Sequence, residues 1–219
     1  DGALDLAFSR ADALIERAGN ALALEVQPDG SLVVGGEFER ANGVRREALA
    51  RFLPQGQLDT TFDAGMASGS RVNALALQHD GRLLVGGRFA TIHGADCHNL
   101  ARLESDGRRD ATFGAAGGPD GEVYCLRQQT NGAVVMGGDF DMVGDLAQAR
   151  LARVDAHGEP DATFLPVLGH RIDVPEAYAL AVQPDGGIVV GGYFDRINGE
   201  PRANVVRLLP DGTLDPGFD

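Results

Sequence analysis

The sequence predicts an all-β fold, a β-propeller in which four related blades of four strands each follow one another along the chain. Three observations predict this class. A unit of roughly fifty residues recurs four times, each unit alternates short apolar runs with turn residues, and no window keeps the 3.6-residue period of a helical repeat. A single four-stranded meander cannot bury both faces, so the units must stack.

The repeat is carried by residue types at fixed spacing. A Gly pair and, two residues later, a Phe open the common segment, and an Arg, an Asp and a closing Phe follow without a gap. We expect one propeller domain or segment over residues 1–219, with repeats at 20–62, 72–113, 122–164 and 177–218. The shared residues are the pairs Gly35–Gly36, Gly86–Gly87, Gly137–Gly138 and Gly191–Gly192, the arginines Arg51, Arg102, Arg153 and Arg207, the aspartates Asp59, Asp110, Asp161 and Asp215, and the closing Phe62, Phe113, Phe164 and Phe218.

The second unit shows the four predicted strands in order. They are "VNALALQ" (72–78), "RLLVGG" (82–87), "NLARLES" (99–105) and "RRDATF" (108–113). Asp-Gly dipeptides between these runs predict hairpin turns. Residues 1–8 match the end of a unit, and we expect them to form the last strand of a preceding blade. Residues 11–24 have a helix-like pattern that overlaps a first strand, so at most 11–18 forms a short helix.

Two repeated features predict architecture. Glycine inside a strand is costly, which indicates a bulge or a close approach by a neighbouring blade at each Gly pair. A three-residue loop over 210–212, with Gly212 in the left-handed conformation, places Arg207 opposite Asp215. We therefore expect a partly buried, bidentate ion pair in every blade. Four equivalent copies favour this structural role over a catalytic acid.

Charge and composition limit the partners. The formal net charge is −13, which disfavours nucleic acid and anionic membranes. No run of eighteen apolar residues occurs, so we expect no membrane insertion. Cys97 and Cys125 fall at different positions of the repeat and are expected to be free thiols.

Candidate ligand residues lie in the two variable links of each unit, which open on one face of a propeller. We assign ligand binding to His93, Asp96, His98, His170 and Asp173. Zinc is one interpretation of the segment "IHGADCHN", but its spacing matches no zinc pattern, and a solvated loop is favoured. A nucleophile pair of Cys97 and His98 would need a third group, and neighbours on a strand point apart. The sequence thus predicts no metal, no cofactor and no catalytic residue.

Several motifs resemble a known family. The segments "VNALALQHDGRLLVGGRFATIHG" and "AYALAVQPDGGIVVGGYFDRINGEPRANVVRLLPDGTLDPGF" are similar to the delta-60 repeat, a bacterial propeller-type repeat. The third unit departs from the pattern, with Gly144-Asp145 in place of Asn-Gly and Gln148 in place of Arg. The resemblance implies a propeller-like fold in large, often cell-surface or secreted bacterial proteins. It implies no defined catalytic activity.

The expected function is a non-catalytic module for binding or scaffolding, which presents loops to a protein or carbohydrate ligand. The alternative is an enzyme, a hydrolase or lyase, with its site at the mouth of the ring. An enzyme would need several titratable groups that converge on one pocket. Residues 1–8 would add a fifth last strand to four complete units. We therefore expect a ring of more than four blades, with additional blades either from the same chain or from a second copy. A compact four-bladed ring with residues 3–8 displaced is the alternative.

Overall fold

The computed structural model describes residues 15–16 and 19–218, and each regular element in them is a β-strand. The expected strand at residues 1–8 lies outside the described residues. The chain divides into two compact units: residues up to Cys97 with 101–110, and residues 98–100 with 111 onward. No helix in the described part is long and apolar enough to cross a membrane.

The first unit contains two antiparallel meanders, blades 1 and 2. Blade 1 has the strand order β2-β3-β6 and blade 2 the order β7-β8-β11. The strands are β1 (Ile15–Glu16), β2 (Asn20–Val26), β3 (Leu32–Glu37), β4 (Arg40–Ala41), β5 (Val44–Arg45), β6 (Leu49–Phe52), β7 (Arg71–Leu77), β8 (Leu83–Arg88), β9 (Thr91–Ile92), β10 (Ala95–Asp96) and β11 (Leu100–Leu103).

The second unit contains blades 3 and 4. Blade 3 has the strand order β12-β13-β16 and blade 4 the order β18-β19-β22. The strands are β12 (Glu122–Gln128), β13 (Val134–Asp139), β14 (Met142–Val143), β15 (Leu146–Ala147), β16 (Leu151–Val154), β17 (Leu168–Gly169), β18 (Glu176–Val182), β19 (Ile188–Tyr193), β20 (Arg196–Ile197), β21 (Glu200–Pro201) and β22 (Val205–Leu208).

The fourth strand of each blade is shorter than the sequence predicts. It joins its three-stranded sheet through a single β-bridge in each repeat: Phe52–Leu58, Leu103–Arg109, Val154–Pro160 and Leu208–Leu214. The ladder ends there because the repeated Asp turns the chain. In blade 1, Asp59 Oδ1 accepts hydrogen bonds from the backbone N and the hydroxyl of Thr61, at 2.9 and 2.6 Å.

The links between the second and third strands form small hairpins that the sequence did not predict. They are β4–β5, β9–β10, β14–β15 and β20–β21. In the first unit β1 adds a third strand, because Ile15 pairs with Ala41 and Glu16 with Arg40. The expectation of a helix over 11–18 is therefore wrong at these two residues, where sheet pairing overrides the local helical pattern.

The Gly pairs have the two structural roles that the sequence suggested. The second Gly faces a β-bulge in the first strand of its own blade. A Cβ built on Gly36 would lie 1.9 Å from Asn20 O, and one on Gly192 would lie 2.1 Å from Glu176 O. The first Gly admits the next blade of the same unit, since a Cβ on Gly35 would lie 2.4 Å from Val72 Cγ1.

Each unit has a core that joins its two blades. In the first unit Val33 and Leu49 of blade 1 cluster with Val72 and Leu75 of blade 2. In the second, the core joins blade 3 to blade 4 through Val135, Leu151, Leu180 and Val190. Burial of these apolar faces is the main force that holds paired blades together.

The repeated Arg and Asp form an ion pair in all four blades. Arg102 Nε and Nη2 lie 2.8 and 2.7 Å from Asp110 Oδ2, and both side chains are 5% exposed. The expected bidentate geometry is wrong, because the guanidinium contacts one carboxylate oxygen. In blade 1 the turn at Thr61 occupies the other oxygen of Asp59.

The same arginines tie each blade to its neighbour within a unit. Arg51 Nη1 donates a hydrogen bond to Ser105 O at 2.6 Å, and Arg153 Nη1 donates one to Pro210 O at 2.6 Å. Arg51 also lies over the Phe62 ring, with 4.7 Å from its Cζ to the ring centroid. The Arg therefore belongs to the architecture of the blades.

Candidate functional site

A groove of about 550 Å³ opens on the second unit. That volume lies in the range of small-ligand sites. Its walls come from the ends of β13 and β19, the start of β18 and the link before it. They consist of Asp139, Arg150, Asp173, Val174, Glu176, Tyr178 and Tyr193.

A β-bulge aims Tyr178 into the groove. The register of β18 shifts between Ala177 and Ala179, which leaves Tyr178 at the bulge. The same shift in β12 places Tyr124 at the equivalent position. The two ring centroids are 5.7 Å apart, with the rings tilted by 33°. Bulges commonly re-aim side chains beside functional sites, and here they produce a pair of adjacent aromatic rings.

Tyr178 is coupled to Glu176. A hydrogen bond to the Glu176 carboxylate, with burial and the negative charge of that carboxylate, raises the pKa of Tyr178 to about 12. The phenol therefore stays protonated at neutral pH and donates its hydrogen bond. Glu176 is held in place at the groove as the acceptor of this hydrogen bond.

His170 organises the link that carries Asp173. Its ring stacks on Tyr193, with 4.3 Å between centroids and 28° between planes. His170 Nδ1 accepts hydrogen bonds from the backbone N of Asp173 at 3.1 Å and of Ile172 at 3.4 Å. An accepting Nδ1 assigns the ring proton to Nε2. The imidazole thus positions the segment that brings Asp173 to the groove.

Arg150 reaches the groove from a strained backbone position. Its φ is 68°, in the left-handed region that non-Gly residues seldom adopt. The backbone fixes this geometry, since Arg150 N donates to Phe140 O and Arg150 O accepts from Gly138 N. Its guanidinium pairs with Asp139 and, at 3.2 Å, with Asp141. The equivalent residues of the other repeats, Ala48, Asn99 and Asn204, have the same left-handed backbone, so this conformation belongs to the architecture of the blade.

The groove therefore combines aromatic surface with excess negative charge. Arg150 is shared between Asp139 and Asp141, whereas Asp173 and Glu176 add two more carboxylates. Tyr178 and Tyr193 expose large parts of their rings beside these charges. Such a surface attracts a cation and offers π-faces for it to contact.

The structure distributes the sequence-predicted residues over both units. Asp173 lines the groove, and His170 supports it. His93 and Asp96 lie exposed at the β9–β10 hairpin of the first unit, where His93 Nε2 is 2.9 Å from Asp63 O. His98 is an exposed residue of the second unit with a φ of 43°.

Cys97 is buried, and that burial raises the pKa of its thiol to about 11. A protonated thiol at neutral pH is a poor nucleophile and a poor metal ligand. Within residues 15–16 and 19–218, no group of three or more His, Cys, Asp or Glu side chains is arranged to hold a metal ion.

Sequence reasoning missed Tyr178, Tyr193, Arg150 and Asp139 as groove residues. A signal was available in the positions of the repeat that vary. The bulge position holds Leu22, Asn73, Tyr124 and Tyr178, and the position before the third strand holds Ala48, Asn99, Arg150 and Asn204. Positions that vary between blades of one architecture are free to carry ligand-binding side chains.

A second, smaller groove of about 300 Å³ lies on the first unit. Its lining of Glu39, Arg40, Arg45, Glu47 and Ser68 is balanced in charge. Glu47 Oε1 accepts a hydrogen bond from Gly69 N at 2.9 Å, which ties two links together. This groove offers no aromatic surface, so the groove on the second unit is the stronger candidate.

Four antiparallel meanders of one repeat, with Gly-pair bulges and a common Arg–Asp pair, define a β-propeller repeat protein. The chain belongs to the Domain of unknown function (DUF5122) beta-propeller family, whose model matches residues 27–62, 78–113, 129–164 and 183–218. The coarser part of the expected resemblance, a β-propeller repeat family, is thereby confirmed. No curated protein matches the chain.

Solved structures show a related fold at low identity. A protein of unknown function from Bacteroides caccae is 15% identical with a TM-score of 0.50, over 91% of this chain and 66% of that chain. This chain therefore spans slightly less than two thirds of that relative, and the likeness indicates the fold alone. Two further structures have lower TM-scores. The extracellular domain of a putative one-component system from B. thetaiotaomicron has 15% identity, coverage of 86% and 22%, and a TM-score of 0.48. Virginiamycin B lyase from Staphylococcus aureus has 12% identity, coverage of 88% and 56%, and a TM-score of 0.39.

Proposed function

We propose that this chain is a non-catalytic binding module whose groove on the second unit takes a basic side chain of a protein ligand. One observation carries the proposal: exposed rings of Tyr178 and Tyr193 converge with the carboxylates of Asp173 and Glu176. Carboxylates form charge-assisted hydrogen bonds with Lys or Arg. The adjacent rings suit the alkyl stem and the cationic head of such a side chain.

The surroundings of the groove favour a protein over a carbohydrate. The link before β18 exposes Leu165, Val167, Ile172 and Val174, and the exposed fraction of Ile172 is 91%. Of these, Val174 lines the groove itself, and exposed apolar side chains beside tyrosines are typical of surfaces that contact proteins. A glycan ligand would leave these aliphatic side chains without a role.

Several features favour binding over catalysis. Burial raises the pKa of the Cys97 thiol to about 11 and that of the Cys125 thiol to about 12, so both are protonated at neutral pH. The repeated Asp residues are each paired with Arg, which suits structure. In the groove, Glu176 already accepts a hydrogen bond from Tyr178.

Tyrosine fluorescence tests this proposal directly. The chain has three Tyr and no Trp, and all three tyrosines lie in or beside the groove. Titration with a short Leu-Lys-Leu peptide should change the emission saturably, and a Leu-Glu-Leu peptide should not. Tyr178→Ala should weaken binding about tenfold, the equivalent of ~1.4 kcal/mol. Leu22→Ala, at the equivalent bulge of blade 1, is the matched control and should leave the affinity unchanged.

Other outcomes decide against the proposal. Saturable binding of a neutral hexasaccharide with no response to the Lys peptide would identify a glycan site instead. No response to any of the three probes, from a chain that is folded by circular dichroism, would mean that the groove is not the ligand site.

We also propose that the repeat is the delta-60 repeat and that the chain belongs to a larger bacterial surface or secreted protein. The spaced Gly-pair, Asp-Gly and closing-Phe motifs support the repeat assignment. Labelling of intact producing cells with an antibody to the chain tests the location. Labelling only after lysis would contradict it.

A further inference from the structure

Blade 1 exposes the face on which other blades receive a neighbour. Leu75 of blade 2 and Leu180 of blade 4 pack against the preceding blade of their own unit and are 6% and 5% exposed. Leu24 is the equivalent residue of blade 1, and it is 62% exposed. Val26 on the same strand is also exposed. We call this surface, formed by Leu24 and Val26, the front face.

Blade 4 exposes the complementary face. Leu49 of blade 1 and Leu151 of blade 3 pack against the following blade of their units, and each is 1% exposed. The equivalent Val205 of blade 4 is 49% exposed. A Cβ on Gly191 would meet its nearest atom at 3.7 Å, within its own sheet. We call this surface, formed by Gly191 and Val205, the rear face.

The two internal junctions show what covers a rear face. A Cβ on Gly35 would lie 2.4 Å from Val72 Cγ1, and one on Gly137 would lie 2.6 Å from Ala177 Cβ. In both cases the occupant is the first strand of the following blade. Rear and front faces are therefore two halves of one repeated interface, and blades 1 and 4 each display one half.

We propose that the rear face of blade 4 docks on the front face of blade 1 of a second copy of this chain. A front face of the same repeat is the one surface that the molecule itself shows to fit a rear face. The contact is heterologous, because each copy contributes a different surface to it. It uses blade-to-blade packing and does not depend on the groove or its ligand.

Specific contacts follow from the internal junctions. Val205 should pack against Leu24 of the partner copy, as Leu49 and Leu75 share one core in the first unit. Gly191 should admit Ala21 of the partner copy. Arg207 should donate from Nη1 to the carbonyl of Pro54 in the partner copy, because Arg51 and Arg153 donate to the equivalent turn of their next blade.

Light scattering after gel filtration measures the association. The unaltered chain should show a mass of at least twice 23.0 kDa that falls on dilution. Leu24→Glu would place a charge in the contact at the front face, and Val205→Glu would do so at the rear face. Each variant alone should therefore have a mass of 23.0 kDa. Both residues are exposed in the single chain, so both variants should keep its circular dichroism spectrum.

Complementation makes the test specific for head-to-tail docking. A one-to-one mixture of the two variants retains one intact rear face and one intact front face, so it should form a dimer. Val44→Glu, at an exposed residue of the β4–β5 hairpin outside both faces and the groove, should associate like the unaltered chain. A mass of 23.0 kDa for the unaltered chain at every concentration would overturn the proposal. So would association that both Glu variants leave intact, or a mixture that fails to dimerise.

Discussion

At the scale of single residues, the repeated Arg–Asp pair shows how burial sets the value of an interaction. Arg102 and Asp110 are both almost fully buried, whereas Arg108 and Asp106 form an exposed pair on the adjacent turn. Loss of one partner from a buried pair leaves a desolvated charge behind. An exposed pair gains little, because water and salt screen it.

Arg102→Ala should therefore lower the free energy of unfolding by about 1.5–3 kcal/mol, because its charge-assisted hydrogen bonds are lost while Arg82 Nη1, 2.7 Å from Asp110 Oδ2, still pairs with the carboxylate. Arg108→Ala is the matched control and should lower it by less than about 1 kcal/mol. Urea denaturation followed by circular dichroism measures both values. Equal, small losses for the two variants would show that the buried pair contributes no more than the surface pair.

The carboxylates of these pairs also predict a pH dependence. Burial raises the pKa of Asp59, but hydrogen bonds from Thr61 and Arg51 outweigh it and hold the pKa below its ordinary value of 3.8. The pKa of Asp161 is held below its ordinary value in the same way: burial raises it, but hydrogen bonds from Thr163 and Arg153 outweigh burial. A depressed folded-state pKa contributes stability that is present above the unfolded pKa and is lost as the pH falls through the folded pKa.

We expect the free energy of unfolding to be nearly constant from neutral pH to about pH 5 and to decrease steeply below about pH 4. Asp59→Asn should reduce the stability at neutral pH and flatten the acid decrease, because one linked proton is removed. Denaturant unfolding at a series of pH values gives the slope of the free energy of unfolding against pH. An unchanged slope in the variant would show that Asp59 is not linked to folding.

At the scale of elements, the β-bulge connects the Gly pair to the groove. The bulge turns Tyr178 of β18 out of register, and the backbone of the two preceding residues, Glu176 and Ala177, lies against Gly192 of β19. The same bulge presents Tyr178 to the groove. This one β-bulge therefore explains why residue 192 must be a glycine and why the side chain of Tyr178 faces the groove.

Neighbouring glycines of β19 should respond very differently to the same substitution. A Cβ on Gly192 would lie 2.1 Å from Glu176 O, whereas a Cβ on Gly191 would lie 3.7 Å from its nearest atom, Ala179 Cβ. Gly192→Ala should reduce stability by about 2–3 kcal/mol through a forced backbone shift. Gly191→Ala should change the stability of the unassociated chain by less than about 1 kcal/mol. Thermal unfolding of the two variants measures the difference, and equal effects would place the bulge elsewhere.

At the scale of the whole molecule, each unit contains one buried cysteine. Cys97 belongs to the core of the first unit and Cys125 to that of the second. Burial raises the pKa of each thiol, to about 11 and about 12 respectively. The reactivity of each thiol therefore measures whether the core of its own unit is exposed to solvent.

A thiol reagent at neutral pH should not modify the native chain and should modify both cysteines in denaturant. Cys125→Ala leaves a reporter for the first unit, and Cys97→Ala leaves one for the second. The absorbance of the group that the reagent releases gives the number of modified cysteines per chain. Fast reaction of either single-cysteine variant under native conditions would mean that the corresponding core is open to solvent.

Some features could be predicted because they repeat. Four copies of the Gly pair, the Arg, the Asp and the closing Phe indicate stacked β-meanders, and the register that pairs Arg207 with Asp215 follows from a three-residue loop. In the third repeat Gln148 replaces an Arg and also bonds to the turn after the third strand: its Nε2 donates to Asp161 O, whereas Arg46 Nη2 donates to Thr60 O, one position further along the turn. The β14–β15 hairpin is present despite this replacement.

The groove could be predicted only in part. His170 and Asp173 were assigned from the length of their link, but Tyr193 ends β19 and Arg150 lies just before β16, so these two meet only after folding. The left-handed backbone of Arg150 arises from pairing with Phe140 and Gly138, which no local propensity indicates. The single-bridge fourth strands and the pairing of Ile15 with Ala41 also depend on long-range contacts.

The sequence by itself determined the repeat, the β-meander and the β-propeller class, because period, turn residues and alternation are local properties that four copies reinforce. The tertiary structure decided which side chains share the groove and which blade faces remain exposed. Both depend on packing between segments that lie far apart in the chain, and burial is a property of that packing rather than of the residue.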